Sequence, residues 1–66
     1  MSRRGAVSSF DEHVGLGEII DEHGVRVPFH CIAIADGSRT IDVGAHVEFD
    51  SLPKLGRIEA TAIRLG

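Results

Sequence analysis

Two identical triplets, Asp11-Glu12-His13 and Asp21-Glu22-His23, and the adjacent pair His30-Cys31 carry most of the reactive side chains of this chain. Imidazole and carboxylate together are good zinc ligands, and a thiol beside an imidazole is the start of a nucleophile–base pair. Spacing argues against both. The triplets read as turns at opposite ends of one short strand, on the order of 30 Å apart at about 3.3 Å per residue. Neighbours within one turn rarely converge on a single ion, so both triplets are expected to be polar turns. His30 and Cys31 read as consecutive strand residues, whose side chains should diverge to opposite faces. No Ser–His–Asp arrangement, glycine-rich phosphate loop or HExxH motif is present. The expectation is a binding protein, not an enzyme, with no cofactor and no metal.

Sixty-six residues make one domain, residues 1–66. A chain this short buries only about 60% of the surface its unfolded form exposes, which leaves little core to give up to a catalytic pocket. Seven basic and ten acidic residues give a net charge of −3 and a pI near 5.7. That balance counts against a polyanion binder driven by charge alone. A local basic patch or a stacking platform remains compatible with it. One cysteine excludes an internal disulfide and fits a reducing, cytoplasmic setting. MSRRGAVSSF carries two arginines with no apolar segment behind them, and no run approaches the roughly 18 residues that span a bilayer.

Glycines at 15, 24, 37, 44 and 56 punctuate short apolar runs. Turn signals every 8–12 residues predict a small sandwich or barrel. The segments are Gly5–Phe10, Leu16–Ile20, Val25–Cys31, His46–Ser51 and Arg57–Leu65. Alternation puts Val25, Val27 and Phe29 on one face of the third, and Val47 and Phe49 on one face of the fourth. In the fifth, Ile58, Ala60 and either Ala62 or Ile63 supply the apolar side. Phe10, Val27, Phe29, Val47 and Phe49 are the expected core. Between the third and fourth segments, Ile32–Ala35 fits one helical turn and ADGS a tight turn. Pro28 cannot donate to a ladder and predicts an edge position for the third strand. SLPKLG, with Pro53 and Gly56 as its turn residues, predicts the last hairpin. A three-stranded meander, a long crossing and a hairpin make a five-stranded antiparallel barrel.

Laid end to end, these segments resemble the cold-shock domain of small bacterial proteins, an all-β barrel of the OB-fold type. Gly5-Ala6-Val7 with Phe10-Asp11 is similar to the family's opening strand. VGLGEI, from Val14 to Ile19, sits where the family has K-G-F-G-F-I, and PFHCIAI, from Pro28 to Ile34, on F-V-H-F-S-A-I. Arg39-Thr40-Ile41, Gly44, Val47 and Phe49 match its R/K-T-L-x-x-G-x-x-V-x-F stretch, and Glu59-Ala60 its late Q/E-A pair.

The resemblance implies binding of single-stranded RNA or DNA on strands one to three, in gene expression. It marks His30, Phe10, Leu16, Arg39, Ser9, Glu18, Pro28 and Lys54 as candidate contacts. The departures weaken that expectation. Ser9 stands for a tryptophan, and Leu16, Glu18, Pro28, Cys31 and Ser38 for aromatics. Base–aromatic stacking is worth roughly 1–3 kcal/mol per base, so reduced or altered affinity is expected. His30 is the remaining member of the stacking set; its alternative role is to partner Glu18 across the strands. The basic residues, Arg3 and Arg4 included, are either phosphate contacts that make binding salt-dependent or simply solvated. The second reading is a protein-interaction module in which Leu16, Ile20, Pro28, Cys31 and the CIAI run form an apolar patch. A partner with a basic surface, in the transcription or translation machinery, suits it. A monomer without membrane contact is expected in either case.

Overall fold

A computed structural model describes residues 2–66, except for the side chain of Lys54, so that candidate contact lies outside the described side chains. The chain forms β1 (Ser2–Asp11), β2 (Leu16–Asp21), β3 (Arg26–His30), one 3-10 turn (Cys31–Ala33), β4 (His46–Lys54) and β5 (Arg57–Leu65). One antiparallel sheet runs in the order β3-β2-β1-β4-β5, as the meander, long crossing and hairpin require. It curls so that β3 packs against β5, without ladder hydrogen bonds between them. A parallel bridge between Ile34 and Ile63 and the bond from Ala35 N to the Ile63 carbonyl (2.7 Å) fasten the start of the long crossing to β5. Pro28 lies in β3, the edge strand, where a missing N–H leaves no interior ladder bond unmade.

The core is the inward half of each alternating pattern. Val7, Ile19 and Val27 form one row across β1, β2 and β3. Phe29, Val47, Phe49, Ala60 and Ile63 complete the buried set. Each Val, Ile or Phe among them contributes roughly 1.5–3 kcal/mol when fully buried. A second row, Phe10–Gly17–Phe29, runs near the other end of β2. The two rings stack across the glycine, with centroids 5.9 Å apart and planes 7° from parallel. A Cβ on Gly17 would meet Phe29 Cζ at 2.5 Å and the Ser9 carbonyl at 2.7 Å. Gly17→Ala is therefore the single change that would most directly break this part of the barrel.

Several boundaries differ from simple alternation, for identifiable reasons. β1 begins at Ser2, not Gly5, because β4 pairs with it from Ser2 to Ala6. β3 stops at His30, and the helical turn starts there, one residue before the expected Ile32–Ala35. Val25 precedes β3 and is exposed instead of joining Val27 and Phe29 inside. Phe10 is half-buried, since it roofs the core at the rim. β4 runs through Pro53, which pairs with Ile58, so the hairpin turn is Leu55-Gly56 alone. Beyond Asp50 β4 no longer has β1 beside it, which is why proline is tolerated there. A register shift near Phe49 and a φ of 51° at Ala62 mark a bulge. The extra residue turns Ile63, not Ala62, into the core. Ile58 keeps the parity of Ala60 but is exposed, because it lies opposite Pro53 near the hairpin end of β5.

Candidate nucleic-acid interface

Register places side chains on the outer face of β1–β3. Ser9, Glu18 and Pro28 form one row, and Asp11, Leu16 and His30 the next. Five of the expected contacts, Ser9, Leu16, Glu18, Pro28 and His30, are thereby brought together. A bulge at Ser8 adds a residue the alternation hid. Its hydroxyl donates to the Glu18 carbonyl (3.1 Å) and lies 3.4 Å from Glu18 Oε1. Phe10 is separated from this group, because it shares the inward side of the sheet with Gly17 and lies against Phe29. Arg39 stands in the long crossing, exposed.

His30 is fixed by the 3-10 turn at its C-terminal side. Its Nδ1 accepts the Ile32 N–H at 3.2 Å and so caps that turn. In the neutral ring the hydrogen is then on Nε2, which makes His30 a donor to whatever lies over β2 and β3. Glu18 is not its partner; it sits 3.9 Å from Arg26 Nε. The expected divergence of His30 and Cys31 also fails, since Cys31 belongs to the turn and its Sγ comes 3.7 Å from His30 Nδ1. That nitrogen already accepts a backbone N–H. The Cys31 N–H donates to the Gly15 carbonyl at 2.7 Å. Gly15 itself needs its φ of 70°, and a Cβ there would meet Cys31 Sγ at 2.8 Å.

Around this polar row the surface is apolar. Val14, Leu16 and Ile32 are 57%, 54% and 85% exposed, and Ile20 adds a smaller share. Cys31 and Ala33 are half-buried and Ile34 is buried, so only part of the CIAI run reaches the surface.

The cations are largely occupied. Arg3 bonds the buried Asp21 carboxylate and lies over the Phe49 ring, 5.8 Å from its centroid. Arg4 pairs with Glu48 (3.5 Å), Arg57 with Glu59 (3.7 Å), and Arg64 with Glu48 (3.7 Å) and Asp50 (3.9 Å). Exposed pairs of this kind contribute about 0–1 kcal/mol to stability, yet they lower the positive potential a phosphate would meet. Among the described residues Arg39 is the one arginine with no ion pair.

Both DEH triplets are turns with a shared mechanism. Asp11 Oδ1 accepts the His13 N–H and Asp21 Oδ1 the His23 N–H, each at 2.9 Å. Burial pushes the Asp21 carboxyl up, but the N–H bonds from Val25 and His23 and the Arg3 guanidinium outweigh it and hold it below its ordinary value of 3.8. Asp36 is lowered as well, mainly by the Ser38 backbone N–H at 2.9 Å. Among the described residues no three His, Cys, Asp or Glu side chains are grouped to hold a metal ion.

The fold is therefore that of a five-stranded OB-type domain with an open outer face on β1–β3. Among solved structures, the Drosophila Unr structure titled CSD456, for cold-shock domain, matches the whole chain with a TM-score of 0.83 and 30% identity. The chain spans 27% of the length of that one. The fold is cold-shock-domain-like. No protein-family model matches the sequence, and no curated protein does. Among the described residues no helix is long and apolar enough to cross a membrane.

Proposed function

We propose that this domain binds single-stranded RNA or DNA across the outer face of β1–β3, with lower affinity than an aromatic-rich cold-shock surface would give, and acts in gene expression in the cytoplasm. The observation that carries the reading is His30, held by its Ile32 bond beside Leu16, at the rim of an open strand face. Its Nε2 would donate to a base or phosphate acceptor, and Leu16 and Pro28 offer flat apolar support. Arg39 supplies the free guanidinium for a phosphate. No catalytic step is assigned to the site.

Titration of labelled single-stranded oligonucleotides, pyrimidine-rich and mixed, at low and high salt tests this. Micromolar binding that weakens with salt is expected, and His30→Ala and Arg39→Ala should each reduce it about threefold or more. Absence of binding at low salt overturns the proposal. The exposure of Val14, Leu16 and Ile32 favours a second reading, in which the same face docks a basic protein surface.

A further inference from the structure

The outer face does not end with the rows of Ser9 and His30. A further outward row crosses four strands, from Arg26 on β3 through Ile20 on β2 and Ala6 on β1 to His46 on β4. Beyond it, Arg4 on β1 stands opposite Glu48 on β4. The two rows frame an open groove of about 590 Å³, lined in part by Ala6, Ile20, His46, Arg4, Glu22 and Glu48. Ligand sites commonly measure roughly 300–1,000 Å³.

Ala6 gives the groove its depth, because it is a single methyl between two larger neighbours in its row, Ile20 and His46. Ile20 is an aliphatic wall, 37% exposed. His46 is the other wall; its ring is exposed, and among the described residues no hydrogen bond or ion pair holds it. A slot between an aliphatic side chain and an imidazole takes a flat ring, and histidine is one of the side chains on which unstacked bases stack. The charges at the rim are spent on one another. Arg4 (3.5 Å) and Arg64 (3.7 Å) both hold Glu48, and Arg64 also lies 3.9 Å from Asp50. Glu22 adds a further carboxylate, which counts against a phosphate in the groove itself. What suits this rim is a neutral ring with N–H groups at its edge, for which the Glu22 and Glu48 carboxylates are acceptors.

We propose that this groove is a second base site on the strand-binding surface. The strand that lies over Leu16 and His30 continues across β1 onto β4 and places one unstacked base over Ala6, between Ile20 and His46. The inference rests on the nucleic-acid reading above and extends it by one strand. Continuity commits the groove to this occupant, since its row is the next outward row after Ser9, Glu18 and Pro28 on the same face. His30 and His46 then stand at the two ends of the path. At ordinary strand spacings they lie about 14 Å apart across the sheet and about 13 Å along it, a separation several nucleotides long.

NMR titration of the isotope-labelled full chain with a mixed-sequence oligonucleotide of about nine nucleotides, within the usual site size of such folds, tests it. Signals of Ala6, Ile20 and His46 should move with those of Leu16 and His30 and saturate at the same strand concentration. His46→Ala, at an exposed position, and Ala6→Leu, which fills the slot, should each weaken binding of that strand about fivefold or more. His46→Ala decides the matter by itself if Ala6→Leu fails to fold. A free nucleoside should leave the groove empty at micromolar concentration; one that saturates it there marks a separate small-molecule site and overturns the proposal. So does a response of Leu16 and His30 without Ala6, Ile20 and His46, or native affinity in His46→Ala, and either result leaves the β1–β3 interface standing. If no signal moves at all, the interface and its extension fall together.

Discussion

The two DEH turns have the same three residues and the same aspartate-to-histidine N–H bond, yet they do different things. At the first, Asp11 is exposed and spends its carboxylate on one turn. At the second, Asp21 is buried, accepts from both His23 and Val25, and is met by Arg3 from β1. The residue after each triplet makes part of the difference. Gly24 comes directly after His23 and lets the chain return at once to a Val25 N–H, whereas Val14 intervenes before Gly15. Parity makes the rest, because Asp21 shares the inward face of β2 with Ile19 while Asp11 comes after the half-buried Phe10. A motif thus specifies its local turn, and its neighbours decide whether the turn is a surface loop or a clamp.

Replacing each aspartate is the strongest way to break the comparison. Asp21→Ala strands two N–H groups and Arg3, and should lower Tm by about 15 °C or more. Asp11→Ala should lower it by about 5 °C or less by the same measurement. Equal effects would mean that the clamp does not carry the difference. Next come the glycines. Gly15→Ala meets both a positive φ and Cys31 Sγ, and should cost about 2–3 kcal/mol in urea unfolding. Gly24→Ala meets only the positive φ, with open space around it, and should cost about 1 kcal/mol.

Acid sharpens the contrast further. The folded Asp21 carboxyl lies below its ordinary value of 3.8, so it contributes stability that is present above that value and lost as pH falls through the folded one. Urea midpoints measured from pH 6 down to pH 3 should fall more steeply for the native chain than for Asp21→Asn; parallel profiles would count against the clamp. The smallest effects belong to the histidines. His13 and His23 act through their backbone N–H groups, so His13→Ala and His23→Ala should each shift stability by less than about 0.5 kcal/mol. Zinc that raised the Tm of the native chain but not of these variants would restore the metal reading of the triplets.

Much of this molecule was legible because strand alternation is a strong code. Val27, Phe29, Val47 and Phe49 were placed inside by parity alone, and Pro28 marked the edge. The bulges were not legible, since an extra residue inverts parity without changing composition. Ser8 and Ala62 are ordinary residues in ordinary positions, and alternation alone does not choose between Ala62 and Ile63 for that reason. Pairings distant in sequence were hidden as well. Nothing near Arg3 announces Asp21, and nothing in the alternation announces the 3-10 turn in which Ile32 donates its N–H to His30. Of the candidate site, the strand face was readable and the turn that fixes His30 was not.

The Phe10–Gly17–Phe29 row has a consequence for how such a domain changes over time. Because the two rings fill the hollow beneath the glycine, the barrel has no need of Leu16 or Glu18 on the other side of the same strand. Scaffold and display are separate inheritances on alternate residues of one short segment. The outer set is free to be rewritten, one exposed position at a time, while the fold beneath stays the same.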